Sequence, residues 1–375
     1  MRKVLFFLES LKGGGAEKVL LDLIKSLEPT EYKIKILVVT NNGIYDDEIK
    51  EYCEYESILD TNQLNGKIYD RLIYKLKYKL IYKLPTSYIY NRYIGNEWDT
   101  VVAFVEGFPT KVISNADGHI NSVAWVHVDP LERDYADNYY KTLDEQKEAY
   151  MKFSKIICVS DSVKKSFIKK WNIKSTLVTL YNPILTDEIK LKASENLEMR
   201  KKWKIQFIAV GRLVSQKGFD RLIKAVNKLR NDNYSDFGLI ILGEGEEREY
   251  LNNLIQKYEL NQIVKILGFK NNPYPYMATS DILVCSSRAE GYSLVVAEAM
   301  VLGLGILSTN CSGPNELLDY GEFGLLVEND ENGIFDGLKE ILENRELLLQ
   351  LKDKAKERSK WFDNEKFIQQ VKHIL

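Results

Sequence analysis

Cysteine is scarce: Cys53, Cys158, Cys285 and Cys311 are the whole set, and no two of them form a C-x-x-C pair. That excludes a disulfide framework and a thiolate metal site as expectations, and it suits a chain kept in the reducing cytoplasm. Long apolar runs are missing as well. No window approaches the roughly eighteen apolar residues of a membrane span, and Met1 to Leu8 offers only a short apolar run before Glu9, too little for a signal peptide. Charge of one sign is also absent. The 52 Lys and Arg residues stand against 54 Asp and Glu, for a net of -2, so a dedicated nucleic-acid binder is not expected.

What is present is length and alternation. A chain of 375 residues exceeds one compact core and suits two domains. Short apolar runs alternate with helical patterns from end to end, which predicts an α/β protein with parallel sheets built from βαβ units. Strands are expected at Val4–Leu8, Ile34–Thr40, Thr100–Val105, Ser122–Val126, Lys155–Val159 and Leu177–Leu180. A second set is expected at Gln206–Val210, Gly238–Leu242, Val264–Leu267, Ile282–Cys285, Gly305–Ser308 and Leu325–Val327. Asn182-Pro183 closes the first set before a charged, helix-like stretch to Lys204, which places the hinge there. Three segments follow: residues 1–183 as an acceptor-side Rossmann-like domain, 184–358 as a second such domain, and 359–375 as a terminal helix that could pack back on the first. Two doubly wound sheets of this kind would bind ligand in a cleft between their strand carboxyl ends.

Three segments carry chemistry. Gly13-Gly14-Gly15 joins a strand to a helix, so the amides of Gly14 and Gly15 could approach an anion, or simply make a tight turn. It is not a dinucleotide fingerprint, since Lys18 stands where the third glycine belongs. In Gly211-Arg212-Leu213-Val214-Ser215-Gln216-Lys217-Gly218, two cations five residues apart flank a strand end, as suits a diphosphate; two solvated surface cations are the plainer alternative. In the segment from Ser287 to Met300, Glu290 and Glu298 stand eight apart around Gly291, Tyr292, Ser293 and Leu294. A carboxylate on a buried helix needs a hydrogen-bonding partner, and a sugar or ribose diol supplies one. Pairing of Glu298 with Arg212 or Lys217, and capping by Glu290, is the structural alternative.

These residues resemble the retaining glycosyltransferases of the GT-B fold, family four, whose E-x7-E motif the spaced acids match. The likeness continues in Gly211–Asp220, Ile240–Gly245, Leu267-Gly268-Phe269, Asn272-Pro273-Tyr274, Asp281 and Gly313 to Val327. In the first half it rests on the glycine loop and Trp125-Val126-His127-Val128-Asp129, which looks like bacterial polysaccharide-assembly members. The chain departs from the family at Gly313-Pro314-Asn315-Glu316, where a paired glycine is usual. The resemblance implies a nucleotide-diphosphate sugar, with UDP favoured, held by Arg212 and Lys217 at the diphosphate and by Glu298 at the ribose. It gives Glu290 the sugar hydroxyls, the amides of Gly291 to Leu294 the phosphate and sugar, and the backbone near Phe269 and Lys270 the base. His127, the histidine at a buried strand end, would reach the donor sugar, with Asp129 or a backbone carbonyl fixing its tautomer. No strict D-x-D occurs in the chain, in keeping with hexosyl or N-acetylhexosaminyl transfer without a metal or other cofactor.

Lys67 to Arg92 is unusual. It carries seven cations against Asp70, a net of +6 in an otherwise acidic chain. Leu72, Leu76, Leu80 and Leu84 recur every fourth residue, with Tyr74, Tyr78 and Tyr82 on another face. The stretch reads as a surface helix or, more sharply, as one in which Lys75, Lys77, Lys79 and Lys83 meet an anionic membrane. The expected protein is therefore a cytoplasmic enzyme, peripheral at the inner face of the membrane, that extends a lipid-linked or oligosaccharide acceptor. A soluble disaccharide synthase or phosphorylase of the same fold, and a non-catalytic basic-surface binding protein, are the alternatives.

Overall fold

The computed structural model describes residues 1–132, 135–196 and 201–375. The chain divides into two compact units, Met1–Pro183 with Glu365–Leu375, and Ile184–Asn364. The first holds a seven-stranded parallel sheet of order β3-β2-β1-β4-β5-β6-β7. Its strands are β1 (Arg2–Leu8), β2 (Tyr32–Thr40), β3 (Glu54–Leu59), β4 (Thr100–Ala103), β5 (Asn121–Val126), β6 (Lys155–Cys158) and β7 (Leu177–Thr179). The second holds a six-stranded parallel sheet of order β10-β9-β8-β11-β12-β13. Its strands are β8 (Ile205–Val210), β9 (Phe237–Leu242), β10 (Val264–Ile266), β11 (Ile282–Cys285), β12 (Gly305–Thr309) and β13 (Leu325–Val327).

Helices cover both faces of such sheets, so their inner strands are buried on both sides and appear as continuous apolar runs. Val4 to Leu8 and Ile282 to Cys285 are buried throughout. That is why the expected strands are all found. The strand that sequence reasoning missed is β3, whose Glu54-Tyr55-Glu56 has no such run. It lies at the sheet edge and pairs only with β2, where the Lys35 ammonium bridges Glu54 and Glu56 at 3.4 and 2.6 Å.

Strand order reverses at one place in each sheet. In the first unit the reversal lies between β1 and β4, and in the second between β8 and β11. At such a point neighbouring loops leave in opposite directions and open a crevice at the carboxyl edge. In the second unit the loops that flank it are those bearing Lys217 and Glu290.

The stretch Lys67–Arg92 is not one helix. A helix runs from Ile68 to Ile81, Pro85 interrupts, and short turns cover Thr86–Ile89 and Tyr90–Ile94. Proline forces its predecessor out of the helical region and donates no amide, so continuation is blocked. Of the charged stretch after Pro183, a helix covers Thr186–Ala193, and residues 197–200 lie outside the described residues.

The last helix, Asn364–Ile374, completes the first unit. Phe367, Val371 and Ile374 are buried. Its terminal carbonyls are taken by side chains of the sheet, with Thr100 Oγ1 donating to Leu375 O and Asn121 Nδ2 to Ile374 O, both at 2.8 Å. Phe367→Ala should therefore cost about 3–5 kcal/mol of stability in the first unit. Denaturant unfolding checks this, and an unchanged midpoint would show that the helix is dispensable.

Candidate active site

The geometry of the second unit starts from glycines that let backbone meet backbone. Gly218 has φ of +64°, and a Cβ there would lie 2.1 Å from the carbonyl oxygen of Ser286. A Cβ on Gly313 would lie 2.8 Å from the backbone of Gly291 and Tyr292. The loops after β8, β11 and β12 are thus pressed together at the carboxyl edge, a closeness only glycine permits. The Gly313 amide also donates to Glu290 O at 2.8 Å, so this single glycine, where the family usually has a pair, seats the loop that holds the acid. Glu316 offers its carbonyl to Arg358.

Hydrogen bonds stitch the same loops. The Arg288 amide donates to Gln216 O at 2.7 Å, Gln216 Nε2 to Ala289 O at 2.9 Å, and Ser286 Oγ to Lys217 O at 2.9 Å. Asp220 receives both Arg288 guanidinium nitrogens at 3.0 Å. Burial alone would raise the Asp220 carboxyl, but this fork holds it below the usual range.

Beneath lies Arg221, which sequence reasoning missed. It is buried on the helix Phe219–Asn231 and donates to Ser286 O through Nε at 3.0 Å and through Nη2 at 2.8 Å. Nη2 also reaches Ser287 O at 2.8 Å and Asn329 Oδ1 at 2.5 Å, while Nη1 reaches Asn329 O at 2.8 Å. Desolvation pulls its pKa down from the ordinary arginine value. No spacing signalled it, because the helix is apolar on that side apart from this residue.

On this frame Lys217 and Glu290 meet across the reversal of strand order. The Lys217 ammonium donates to Glu290 Oε1, which also accepts from Ser287 Oγ at 2.7 Å. Glu290 is buried, so the carboxylate requires such partners. Burial acts to lower the Lys217 pKa, but the facing Glu290 outweighs it and the net shift is upward. Arg212 is exposed and holds no ion pair among the described residues. Glu298, half-buried on the helix Leu294–Val301, accepts from Tyr274 Oη at 3.0 Å. Glu298 thus bonds Tyr274, and Glu290 bonds Lys217.

The remaining expected residues lie nearby or apart. Ser293 precedes the helix without capping it, and its buried Oγ has no hydrogen-bond partner. Gly291 is buried, and Tyr292 and Leu294 are half-buried. Desolvation raises the Tyr292 phenol. Phe269 is exposed after β10, and Lys270 stands 5.5 Å over the Tyr276 ring. Asp281 is structural. It lies before β11, at the opposite edge, where it accepts from Lys352 at 2.8 Å and from the Gln206 amide at 2.9 Å.

In the first unit, Gly14 precedes the helix Gly15–Ser26, whose first turn already contains the carboxylate of Glu17. His127 follows β5. Its amide and that of Val128 donate to Glu106 Oε1 at 2.6 and 2.8 Å, a buried clamp absent from the sequence reading. Asp129 does not touch the imidazole. It accepts from the Leu131 amide and from Ser166 Oγ at 2.9 and 2.8 Å, whereas the carbonyl of Phe104 bonds the ring. The Nε2 atom is buried without a partner. Desolvation lowers the His127 pKa to about 3, so the ring is neutral at physiological pH.

Comparison with known proteins bears on the family and the fold. The family described as "Glycosyl transferases group 1" matches residues 193–358. A Campylobacter jejuni N-acetylgalactosamine-N,N'-diacetylbacillosaminyl-diphospho-undecaprenol 4-alpha-N-acetylgalactosaminyltransferase is 31% identical, with 100% of each chain covered. An uncharacterized glycosyltransferase of Haemophilus influenzae is 28% identical over the whole of both chains. Among solved structures, Anabaena Alr3699/HepE in complex with UDP-glucose superposes with a TM-score of 0.75 at 19% identity, covering 100% of this chain and 99% of that one. WaaG, a glycosyltransferase of lipopolysaccharide biosynthesis, gives 0.72 at 16%, with 99% of each covered.

The buried imidazole gives a direct test. Protonation near pH 6.5 is open to His127 only in the unfolded chain, so stability that is full above that pH should fall as pH drops toward about 3. Proton NMR of the three histidines should show one imidazole unmoved between pH 8 and 4.5. Three ordinary titrations would remove the buried assignment.

Proposed function

The chain belongs to the group 1 glycosyl transferases and has the two-sheet GT-B fold, and from that premise we propose a retaining enzyme that moves a hexosyl or N-acetylhexosaminyl unit from a UDP-sugar to a lipid-linked glycan. The observation that carries it is the Lys217–Glu290 pair at the crevice of the second sheet, with the exposed cation of Arg212 on the same loop. An ammonium and a guanidinium beside a carboxylate suit a donor that is anionic at its diphosphate and hydroxylated at its sugar. Glu298, with one oxygen already oriented by Tyr274, suits the ribose diol. The amides of Gly291 to Leu294 and the unpartnered Ser293 hydroxyl suit phosphate and sugar oxygens. We assign Phe269 and Lys270 to the base.

In the reaction, the bond between the anomeric carbon and the diphosphate oxygen breaks as the acceptor hydroxyl oxygen bonds that carbon. The hydroxyl proton leaves with the diphosphate. Fixed cations stabilise charge where it develops, at no reorganisation cost. His127 is assigned to a substrate hydroxyl, as its neutral ring is held at one nitrogen and its Nε2 is unpartnered. The sequence has no D-x-D, and we propose transfer without a metal. The lipid-linked acceptor is supported by the diphospho-undecaprenol in the Campylobacter relative's name, and with it a peripheral position at the inner membrane face. Among the described residues no helix is long and apolar enough to cross a membrane.

Screening UDP-, GDP- and ADP-sugars by thermal shift should single out a UDP-sugar, since a ligand at about 100 times its Kd stabilises by about 2.7 kcal/mol. Glu298→Gln and Arg212→Ala should each lower turnover by about 100- to 1000-fold while leaving the protein folded. Near-normal turnover in either would falsify the donor-site assignment. EDTA should leave the wild-type rate largely intact, and a loss restored by manganese would overturn the metal-free mechanism.

A further inference from the structure

The helix Ile68–Ile81 has two faces whose roles are opposite to what apolar content alone suggests. Its tyrosine face is the one that packs inward. Tyr74 is 7% exposed and Ile81 4%, while Tyr78 between them keeps 41% of its surface exposed even though its ring joins the row. The rings of Tyr74, Tyr78 and Tyr82 succeed one another at 6.2 and 5.2 Å, and Tyr82 continues to Phe108 at 4.6 Å. At the end of this ladder Glu9 Oε1 accepts from Tyr82 Oη at 2.9 Å and from Tyr139 Oη at 2.8 Å. These contacts fix the rotation of the helix about its axis.

With the tyrosines held, the leucines have nowhere to go but out. Leu72, Leu76 and Leu80 are 61, 67 and 49% exposed, and Ile68 heads the same stripe at 76%. At 100° per residue the stripe spans about 120°, with Lys75 about 20° outside its Ile68 edge and Lys79 about 20° inside it. Both are exposed. An aliphatic stripe on a soluble surface is costly to leave in water, and one edged by lysines suits a partner with apolar depth beneath negative charge. A second copy laid antiparallel and face to face would set these lysines against their own equivalents.

We propose that this face lies on an anionic lipid bilayer, with Ile68, Leu72, Leu76 and Leu80 sunk to the boundary of headgroups and acyl chains and with Lys75 and Lys79 on the lipid phosphates. The lysine stems extend along the apolar surface while their ammonium groups stay at headgroup level. The inference deepens the lipid-linked acceptor reading and rests on it for its purpose. Its test, however, needs no glycosyl transfer. It also changes what the basic stretch does: the lysines attract the membrane and the leucines hold it.

Sedimentation with vesicles separates the two contributions. The wild type should pellet with phosphatidylcholine–phosphatidylglycerol vesicles, and weakly with phosphatidylcholine alone. Lys75→Glu with Lys79→Glu should lower partitioning by about 25-fold or more, at roughly fivefold for each cation removed. Added salt should weaken the wild type likewise, because the attraction is screened over about 8 Å. Leu72→Ser with Leu76→Ser should lower partitioning by about tenfold or more, and that loss should persist in high salt. Both variants change exposed side chains, so their melting temperatures and their UDP-sugar turnover on a detergent-dispersed acceptor should match the wild type. A wild type that stays in the supernatant, or leucine variants that pellet like it, would overturn the proposal. So would a dimer seen by analytical ultracentrifugation and abolished by the leucine changes, since a second copy would then own the face. Normal vesicle binding without any UDP-sugar turnover would overturn the enzymatic reading alone.

Discussion

Arg221 turns carbonyl oxygens inward at the carboxyl edge of the second sheet, and most of what lies above it follows from that arrangement. A guanidinium is a rigid fork of donors, and here it spends them on the carbonyls of Ser286 and Ser287 and on Asn329. Hydrogen bonds to a buried charge contribute roughly 1.5–3 kcal/mol each, and more is lost when the acceptors are left without a donor. With those carbonyls fixed, the Arg288 amide is directed to Gln216, and Glu290 emerges opposite Lys217. The ion pair at the crevice is thus the upper course of a structure whose foundation is a residue that spends its hydrogen bonds on other groups.

Several carboxylates near strand ends look alike on paper, and their partners separate them. Glu106 is spent on two backbone amides, Glu9 on two phenols, Asp281 on two lysines and an amide, and Glu290 on Lys217 and Ser287. Backbone amides and phenols make a carboxylate part of the scaffold. An ammonium that is itself within reach of solvent leaves it open to exchange with a ligand.

Parallel strands were legible because burial on both faces writes an unbroken apolar run, as at Val4–Leu8 and Ile282–Cys285. Edge strand β3 was not, since one exposed side lets Glu54 and Glu56 stand in it. The candidate site was legible where backbone geometry demands a residue type: Gly218 and Gly313 stand where a Cβ would strike a neighbouring loop. It was not legible at Arg221 and Glu106, whose partners are main-chain groups of distant segments and leave no pattern in sequence. The pairing of Lys217 with Glu290 was likewise hidden, because residues 73 apart in the chain meet only through the order of strands. Asp129 misled by being near His127 in sequence, while the turn after β5 aims it at Ser166 instead.

The first unit is made of two separated pieces of chain, and the second unit is synthesised between them. During translation the seven-stranded sheet is complete in sequence long before Phe367, Val371 and Ile374 exist to cover it. At about 5–20 residues per second, the roughly 180 residues of the second unit delay that helix by about 10–40 s. For that interval the first unit lacks the residues that cover its sheet there, and the side chains of Thr100 and Asn121 lack the carbonyls they bond. The first unit therefore cannot be completed before the second has been synthesised, whereas the second is continuous in sequence.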